Sequence, residues 1–293
     1  ISTVHMRKTV IVRGLSICGF ILVLLTLPGF AIADSVVAPQ LLVDASWLED
    51  NLDTPNLRIL DYSRSAVAYR LGHIPGAIRI PRHAAYDTVE GTKGMLPHPD
   101  VLAEYLGHAG VLPEHRIVIY DDSDGLWAAR LFWALEVIGH EFVHILDGGF
   151  RTWKDESGPV TRRVLSAQTS LYVPTPRPHL VADTAWMFMQ LENPNVQIID
   201  SRSPDEYSGN DRRADRAGHM PGAINIDWVN NLTSGEGSSF LGAGPLQMLY
   251  SNGSVGRESM IVTHCQTGVR AAHSYFALRL LGYTDVRVYD GSW

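Results

Sequence analysis

The sequence Gly-His-Ile-Pro-Gly-Ala-Ile at residues 72–78 returns as Gly-His-Met-Pro-Gly-Ala-Ile at residues 218–224. Each copy follows an apolar, strand-like run that ends in aspartate, Leu57–Asp61 in the first half of the chain and Val196–Asp200 in the second. Glycine and proline favour a tight bend. The repeated stretch therefore predicts the same turn, leading into the same strand, in both halves of the chain.

Further segments follow the repeated stretch in the same order in both halves. They are strand-like runs at 116–120 and 259–264, helical patterns at 128–139 and 271–282, and strand-like runs at 143–148 and 286–291. A shared order of segments indicates duplication of a whole domain. Because short β-branched runs alternate with amphipathic stretches, we predict an α/β fold of two tandem domains, each a parallel β-sheet flanked by helices.

The amino-terminal segment, residues 6–33, is typical of a secretory signal peptide. It has cations at positions 7, 8 and 13, an apolar run from Leu15 to Leu27, and Ala31-Ile32-Ala33 as a small-x-small cleavage site. We expect cleavage after Ala33 and export, with the periplasm as the predicted location. The apolar run is shorter than the ~20 residues that span a bilayer, so contact with a membrane is expected only if the segment stays uncleaved.

The remaining boundaries follow from composition. Four prolines lie between residues 159 and 178 with little helical periodicity, which predicts a linker there. The first domain is then expected at 34–158 and the second at 179–293.

Composition limits the function of the chain. With 45% apolar and 19% charged residues, the chain has ordinary globular composition, and its net charge of −7 makes nucleic acid an unfavourable partner. Lysine occurs only at positions 8, 93 and 154, so arginine must supply most of the positive charge that an anion would need.

The two cysteines have different expected fates. Cys18 lies inside the predicted signal, so Cys265 is the single thiol of the mature chain. The pattern around Cys265 is strand, tight loop, helix, which places the thiol near convergent backbone N–H groups and the positive end of a helix dipole. Both favour the thiolate, and Arg270 adds a cation if it points inward. His264 is expected to face away, because adjacent strand residues point to opposite sides.

These features together resemble the tandem-domain rhodanese family of thiosulfate and 3-mercaptopyruvate sulfurtransferases. The resemblance rests on the duplication, the aspartate-ended strands, the two glycine-proline turns, the loop Cys265-Gln-Thr-Gly-Val-Arg270, and Asp290-Gly-Ser-Trp293. It implies a silent first domain and a nucleophile, Cys265, in a six-residue loop of the second. The substrate would bind to the other loop residues: Gln266, Thr267, Gly268, Val269 and Arg270. No metal or organic cofactor is implied.

The chain departs from the family pattern at one informative position. Where relatives often carry an arginine that binds the anionic substrate, this chain has Glu206. Arg212, Arg213 and Arg216 lie in the insertion that follows, and one of them is a candidate replacement. Solvated surface charge is the alternative interpretation of this cluster.

The first domain offers an acidic residue where the second has its cysteine. The position aligned with Cys265 is Asp121 or Asp122, depending on a one-residue gap. Neither carboxylate can accept a sulfur atom. We therefore expect the first domain to form one wall of the active-site cleft and to take no part in the chemical reaction.

The expected reaction is transfer of the outer sulfur of thiosulfate to cyanide or a thiol through a Cys265 persulfide. Thiosulfate is favoured as donor because Gln266 and Thr267 are bulkier than the glycine and serine typical of mercaptopyruvate enzymes. Two alternatives stay open: 3-mercaptopyruvate as the sulfur donor, and a non-enzymatic protein that only carries a persulfide. A cysteine phosphatase is disfavoured, since it would place its arginine six positions after the cysteine, whereas Arg270 is five positions after Cys265.

Overall fold

The computed structural model describes residues 1–2, 41–63, 65–235 and 237–293. The predicted signal peptide and its cleavage site, within residues 6–33, lie outside the described residues. No helix in the described ranges combines the length and apolarity needed to cross a bilayer.

The first domain is a five-stranded parallel sheet with helices packed against it. Its sheet order is β1-β7-β6-β2-β3, and β4 and β5 form a separate antiparallel hairpin. The strands are β1 Leu42–Val43, β2 Leu57–Asp61, β3 Ala77–Arg79, β4 Asp87–Val89, β5 Thr92–Met95, β6 Arg116–Tyr120 and β7 Val143–Leu146. The helices are α1 Ala45–Asp50, α2 Ala66–Leu71, α3 Pro99–His108, α4 Leu126–Val137 and α5 Gly149–Asp155.

The second domain repeats this plan. Its five parallel strands have the order β10-β9-β11-β12-β8. The strands are β8 Val181–Ala182, β9 Val196–Asp200, β10 Ile224–Asn225, β11 Met260–His264 and β12 Val286–Tyr289. The helices are α6 Thr184–Gln190, α7 Pro204–Ser208, α8 Ala243–Asn252 and α9 Val269–Leu280. The predicted duplication and the α/β class with parallel sheets are thus confirmed.

Helices α4 and α9 bring the two domains together. Most residues of both helices are buried, the polar side chains of Arg130 and Glu136 in α4 among them. Phe132 of α4 meets Phe276 of α9 edge to face, with ring centroids 4.7 Å apart. Nearby, the Tyr275 hydroxyl donates to Glu136 Oε2 at 2.6 Å. The amino-terminal ends of α4 and α9 follow the loops that leave β6 and β11, so the pairing of these helices also positions both loops.

Candidate active site

Cys265 is the first residue after strand β11, and three residues separate it from helix α9. The strand ends at His264 and the helix begins at Val269. Gly268 between them has φ +77°, a left-handed conformation that glycine adopts without strain. The thiol is 1% exposed. The sequence thus builds a tight turn that places the thiol at the amino-terminal end of a twelve-residue helix.

Backbone N–H groups of this turn are available to an anion. The N–H groups of Cys265 and Gly268 donate to the Ser292 hydroxyl, at 3.2 and 3.0 Å. Those of Gln266 and Arg270 have no acceptor in the described part of the chain. Unpaired donors at a helix amino terminus, together with the helix dipole, form a site for negative charge.

The first domain has the same turn, and there the anion site is filled. Asp121 is the first residue after β6, as Cys265 is after β11. Its Oδ1 accepts the N–H groups of Ser123 and Gly125, both at 3.0 Å, and its Oδ2 accepts those of Trp127 and Ala128, at 2.7 and 3.0 Å. Burial raises the pKa of Asp121, and these four donors act against that rise. A carboxyl group that accepts four backbone N–H groups therefore occupies in the first domain the place that a sulfur anion on Cys265 would occupy in the second.

Arg270 lies beside Cys265 and is held by Glu206. Its Nη1 donates to Glu206 Oε2 at 2.6 Å and its Nη2 to Oε1 at 2.8 Å. Burial acts to raise the pKa of Glu206, but the hydrogen bonds and charge of Arg270 prevail and lower it to about 2. Burial also acts to lower the pKa of Arg270, yet its pKa is raised, by Glu206 and by the Cys265 side chain. The guanidinium thus stays charged next to the sulfur.

The three arginines after α7 take different positions. Arg213 reaches toward Glu206, with Nη1 3.8 Å from Oε1, and pairs with Asp211 at 2.7 Å. The guanidinium of Arg212 donates to the carbonyls of Ala214 and Asp215. The backbone carbonyl of Arg216 accepts the Trp293 indole N–H at 3.1 Å. Of the three, Arg213 is the one that the structure brings to the Glu206–Arg270 pair.

The other loop residues predicted from sequence lie around the thiol in distinct ways. The Gln266 side-chain amide donates to the Trp293 backbone carbonyl at 3.1 Å. Thr267 faces the first domain, where a Cβ placed on Gly94 would lie 2.8 Å from its carbonyl oxygen. Val269 begins α9 and is buried. Their roles in substrate binding stay predictions.

His264 is buried away from solvent on the strand before the loop. Its Nε2 lies 3.6 Å from Asp200 Oδ2. Burial lowers the pKa of His264 to about 4, although Asp200 acts to raise it, so the imidazole is neutral near pH 7.

An ion pair between the domains lies directly under the loop, and sequence reasoning missed it. Arg130 of α4 is fully buried, and its Nη1 donates to Asp290 Oδ1 at 2.7 Å. The same guanidinium donates to the carbonyls of Ala85 and Gly94, at 2.9 and 2.8 Å. A Cβ at Gly268 would lie 2.6 Å from Arg130 Nη1. The signal available was an arginine inside a helical pattern whose other residues, apart from Glu136, are apolar.

Ser292 is the second residue that the sequence left without a role. Besides accepting the two loop N–H groups, its hydroxyl donates to the Tyr289 carbonyl at 3.0 Å. Its only signal was its place in Asp290-Gly-Ser-Trp293. Among the described residues, no group of three or more His, Cys, Asp or Glu side chains is arranged to hold a metal ion.

Comparison with known proteins places these features in context. The family model of the rhodanese-like domain matches the chain twice, over residues 44–156 and 184–293. The thiosulfate sulfurtransferase of Corynebacterium glutamicum is 31% identical over 269 residues, which cover 87% of each chain. The sulfur carrier protein TtuD of Thermus thermophilus is also 31% identical over 269 residues, 87% of this chain and 93% of the relative.

A solved structure is similar over the same length. The crystal structure of the 3-mercaptopyruvate sulfotransferase SseA from Escherichia coli superposes with a TM-score of 0.78. It is 28% identical in sequence and covers 86% of this chain and 98% of its own. The chain therefore shares both sequence and tandem architecture with proteins that transfer sulfur.

Proposed function

The chain belongs to the rhodanese family of sulfurtransferases, and on that premise we propose that it transfers the outer sulfur of thiosulfate through a persulfide on Cys265. The observation that carries the proposal is the repeated anion site. Asp121 fills this site in the first domain with a carboxylate, whereas Cys265 holds the corresponding position in the second. The persulfide would place its negative charge where backbone donors already converge.

The first half-reaction is attack of the Cys265 thiolate on the outer sulfur of thiosulfate. A bond forms between Sγ and that sulfur, the sulfur–sulfur bond of thiosulfate breaks, and sulfite leaves with the electron pair. Arg270 supports this step, because its charge lies beside the sulfur and can contact the anionic end of the donor. Glu206 keeps the guanidinium in place through two hydrogen bonds.

The second half-reaction returns the enzyme to its thiolate. Cyanide or a thiolate attacks the outer sulfur of the persulfide, the bond to Sγ breaks, and the electron pair stays on Cys265. Thiocyanate or a new persulfide is released. All atoms and electrons balance without a further reactant.

Turnover with small substrates tests this function. Purified protein is mixed with thiosulfate and cyanide, and sulfite and thiocyanate are measured for the wild type and for Cys265→Ser. We expect both products from the wild type and neither from the variant, which removes the thiolate with little change in volume. Wild-type protein that binds sulfur without turnover would instead be a persulfide carrier.

Similarity to a 3-mercaptopyruvate enzyme supports a second donor. The same assay with 3-mercaptopyruvate, scored as kcat/KM, decides between the two. We expect a higher value for thiosulfate, because Gln266 and Thr267 are bulkier than the glycine and serine typical of mercaptopyruvate enzymes and the Arg270 charge lies beside the sulfur. A higher value for 3-mercaptopyruvate would overturn the donor assignment.

We also propose that the protein is exported to the periplasm with residues 6–33 removed. The amino-terminal pattern of cations, apolar run and small-x-small site supports this. Amino-terminal sequencing of protein recovered from a periplasmic fraction should begin at Asp34. Recovery only from the membrane fraction, with residues 6–33 retained, would contradict cleavage.

A further inference from the structure

Arg130 belongs to the first domain, yet its guanidinium holds the surroundings of the Cys265 loop in the second. Its Nε and Nη2 donate to the carbonyls of Ala85 and Gly94. Its Nη1 donates to the Asp290 carboxylate across the domain interface. The side chain is fully buried, so water does not compete for these three acceptors. A planar guanidinium with three acceptors holds them in one fixed geometry.

Two of these acceptors pack directly against the loop. A Cβ on Gly94 would lie 2.8 Å from the Thr267 carbonyl oxygen and 2.9 Å from the Thr267 Cβ. Below the loop, a Cβ on Gly268 would lie 2.6 Å from Arg130 Nη1 and 2.9 Å from Asp290 Oδ1. Neither glycine leaves room for a side chain. Arg130 and its partners therefore fix the loop backbone at residues 267 and 268 from two sides.

Asp290 also begins the turn that carries Ser292 to the loop. The Ser292 hydroxyl accepts the N–H groups of Cys265 and Gly268. Ser292 has φ +52°, in the left-handed region that residues other than glycine seldom adopt. Such a conformation persists only where the surroundings hold it. The buried ion pair between Asp290 and Arg130 anchors the start of this turn.

The second domain has a different residue at the position of Arg130. Arg130 is the fifth residue of α4, and His273 is the fifth residue of α9. His273 is also fully buried, and burial lowers its pKa to about 3, although the Asp124 backbone acts to raise it. Its ring stacks on Phe240, with centroids 4.6 Å apart. A guanidinium thus supports the loop that holds the thiol, whereas the neutral imidazole of His273 lies near the loop of the silent domain.

We propose that Arg130 is a positioning residue, which fixes the backbone of the Cys265 loop in the geometry that receives negative charge on the sulfur. This inference rests on the proposed function. Arg130 forms and breaks no covalent bond in the reaction. Backbone N–H groups stabilise a developing charge only while they point to the place where it develops. A displacement of about 1 Å can lower a rate about a hundredfold.

Neutral variants of the ion pair separate stability from loop geometry. Arg130→Gln leaves the Asp290 carboxylate buried without its cation, and Asp290→Asn leaves the guanidinium without its anion. Both should lower the urea concentration at the midpoint of unfolding. The double variant Arg130→Gln/Asp290→Asn has no unpaired charge at this site and should be more stable than either single variant.

The rate of the first half-reaction is measured as sulfite release in a single turnover at saturating thiosulfate. All three variants, the double variant included, should be slower than the wild type by about tenfold or more, because glutamine cannot hold three acceptors as the guanidinium does. The final fraction of protein that carries the persulfide, measured by intact mass, should stay close to that of the wild type. The comparison of the wild type with the double variant stands even if a single variant does not fold.

His273→Gln is the matched control, since it changes a buried polar residue at the same position of the partner helix. Its rate of sulfite release should stay within about twofold of the wild type. An equal slowing in His273→Gln and Arg130→Gln would overturn the proposal, because any disturbance between the two helices would then suffice.

The remaining outcomes are distinct. A double variant that is more stable than the single variants and also releases sulfite at the wild-type rate would overturn the positioning role, because the pair would then serve stability alone. The proposed function would stand in that case. Failure of the wild type to form a persulfide would overturn the proposed function, and this inference with it.

Discussion

The ion pair between Glu206 and Arg270 should make folding stability depend on pH in a defined way. The pKa of Glu206 is lowered from 4.5 to about 2: burial acts to raise it, and Arg270 more than offsets that effect. A carboxyl group whose pKa is lower in the folded state stabilises the fold above its unfolded pKa. That contribution is lost as the pH falls from about 4.5 toward 2.

The size of this contribution follows from the interval between the two pKa values. At about 1.4 kcal/mol per pKa unit, the interval from 4.5 to about 2 corresponds to roughly 3 kcal/mol at pH 7. At pH 3 about 1.5 kcal/mol of it would remain. Glu206→Gln removes the charge but keeps a side chain that can complete the capping box with Ser203. The substitution therefore isolates the ion pair.

Urea unfolding at pH 7 and pH 3 measures the effect. The free energy of unfolding should be lower in Glu206→Gln than in the wild type by about 3 kcal/mol at pH 7 and by about 1.5 kcal/mol at pH 3. Glu192→Gln, at an exposed position of the same domain, should differ from the wild type by less than about 0.5 kcal/mol at both pH values. A deficit in Glu206→Gln that is the same at pH 7 and pH 3 would refute the reasoning.

Three further predictions concern the groups around the two loops. Arg270→Ala should lower kcat/KM for thiosulfate by about tenfold or more, the cost of a charged hydrogen bond of ~1.5–3 kcal/mol, and an unchanged value in steady-state assays would exclude the arginine from donor binding. Asp121→Ala should lower the free energy of unfolding in urea by about 2–4 kcal/mol, because four backbone N–H groups lose their acceptor. Both Asp121→Ala and Asp122→Ala should still form the persulfide. If both folded variants fail to form it, the first domain is not silent. Arg130→Met should cost about 3–5 kcal/mol in the same unfolding measurement, since it leaves the Asp290 carboxylate buried without its cation, and a loss below about 1 kcal/mol would contradict a role for this pair in joining the domains.

The fold could be predicted because its signals are local and occur twice. Strand β2 and strand β9 have the apolar run and terminal aspartate that the sequence displays, and both glycine-proline turns lead into the next strand. Alternating strand and helix patterns constrain the topology to parallel sheets. The strand–loop–helix placement of Cys265 follows from the same local pattern.

The surroundings of Cys265 could be predicted only in part. Glu206 and Arg270 are 64 residues apart, and Arg130 and Asp290 are 160 apart. Such pairs depend on how the elements and domains pack, which no local spacing encodes. From the sequence, Glu206 indicated only that an expected cation is missing at its position. In the structure, Glu206 is the partner that holds Arg270. That Asp121 fills the anion site of the first domain could likewise be recognised only from the geometry of the turn.

The most direct test of the account is intact-mass measurement of the protein after exposure to thiosulfate and removal of excess reagent. Wild-type protein should gain about 32 Da, one sulfur atom, and lose it again on addition of cyanide. Cys265→Ser should show no gain under the same conditions. A wild-type mass that does not change, or an equal gain in Cys265→Ser, would contradict a persulfide on Cys265.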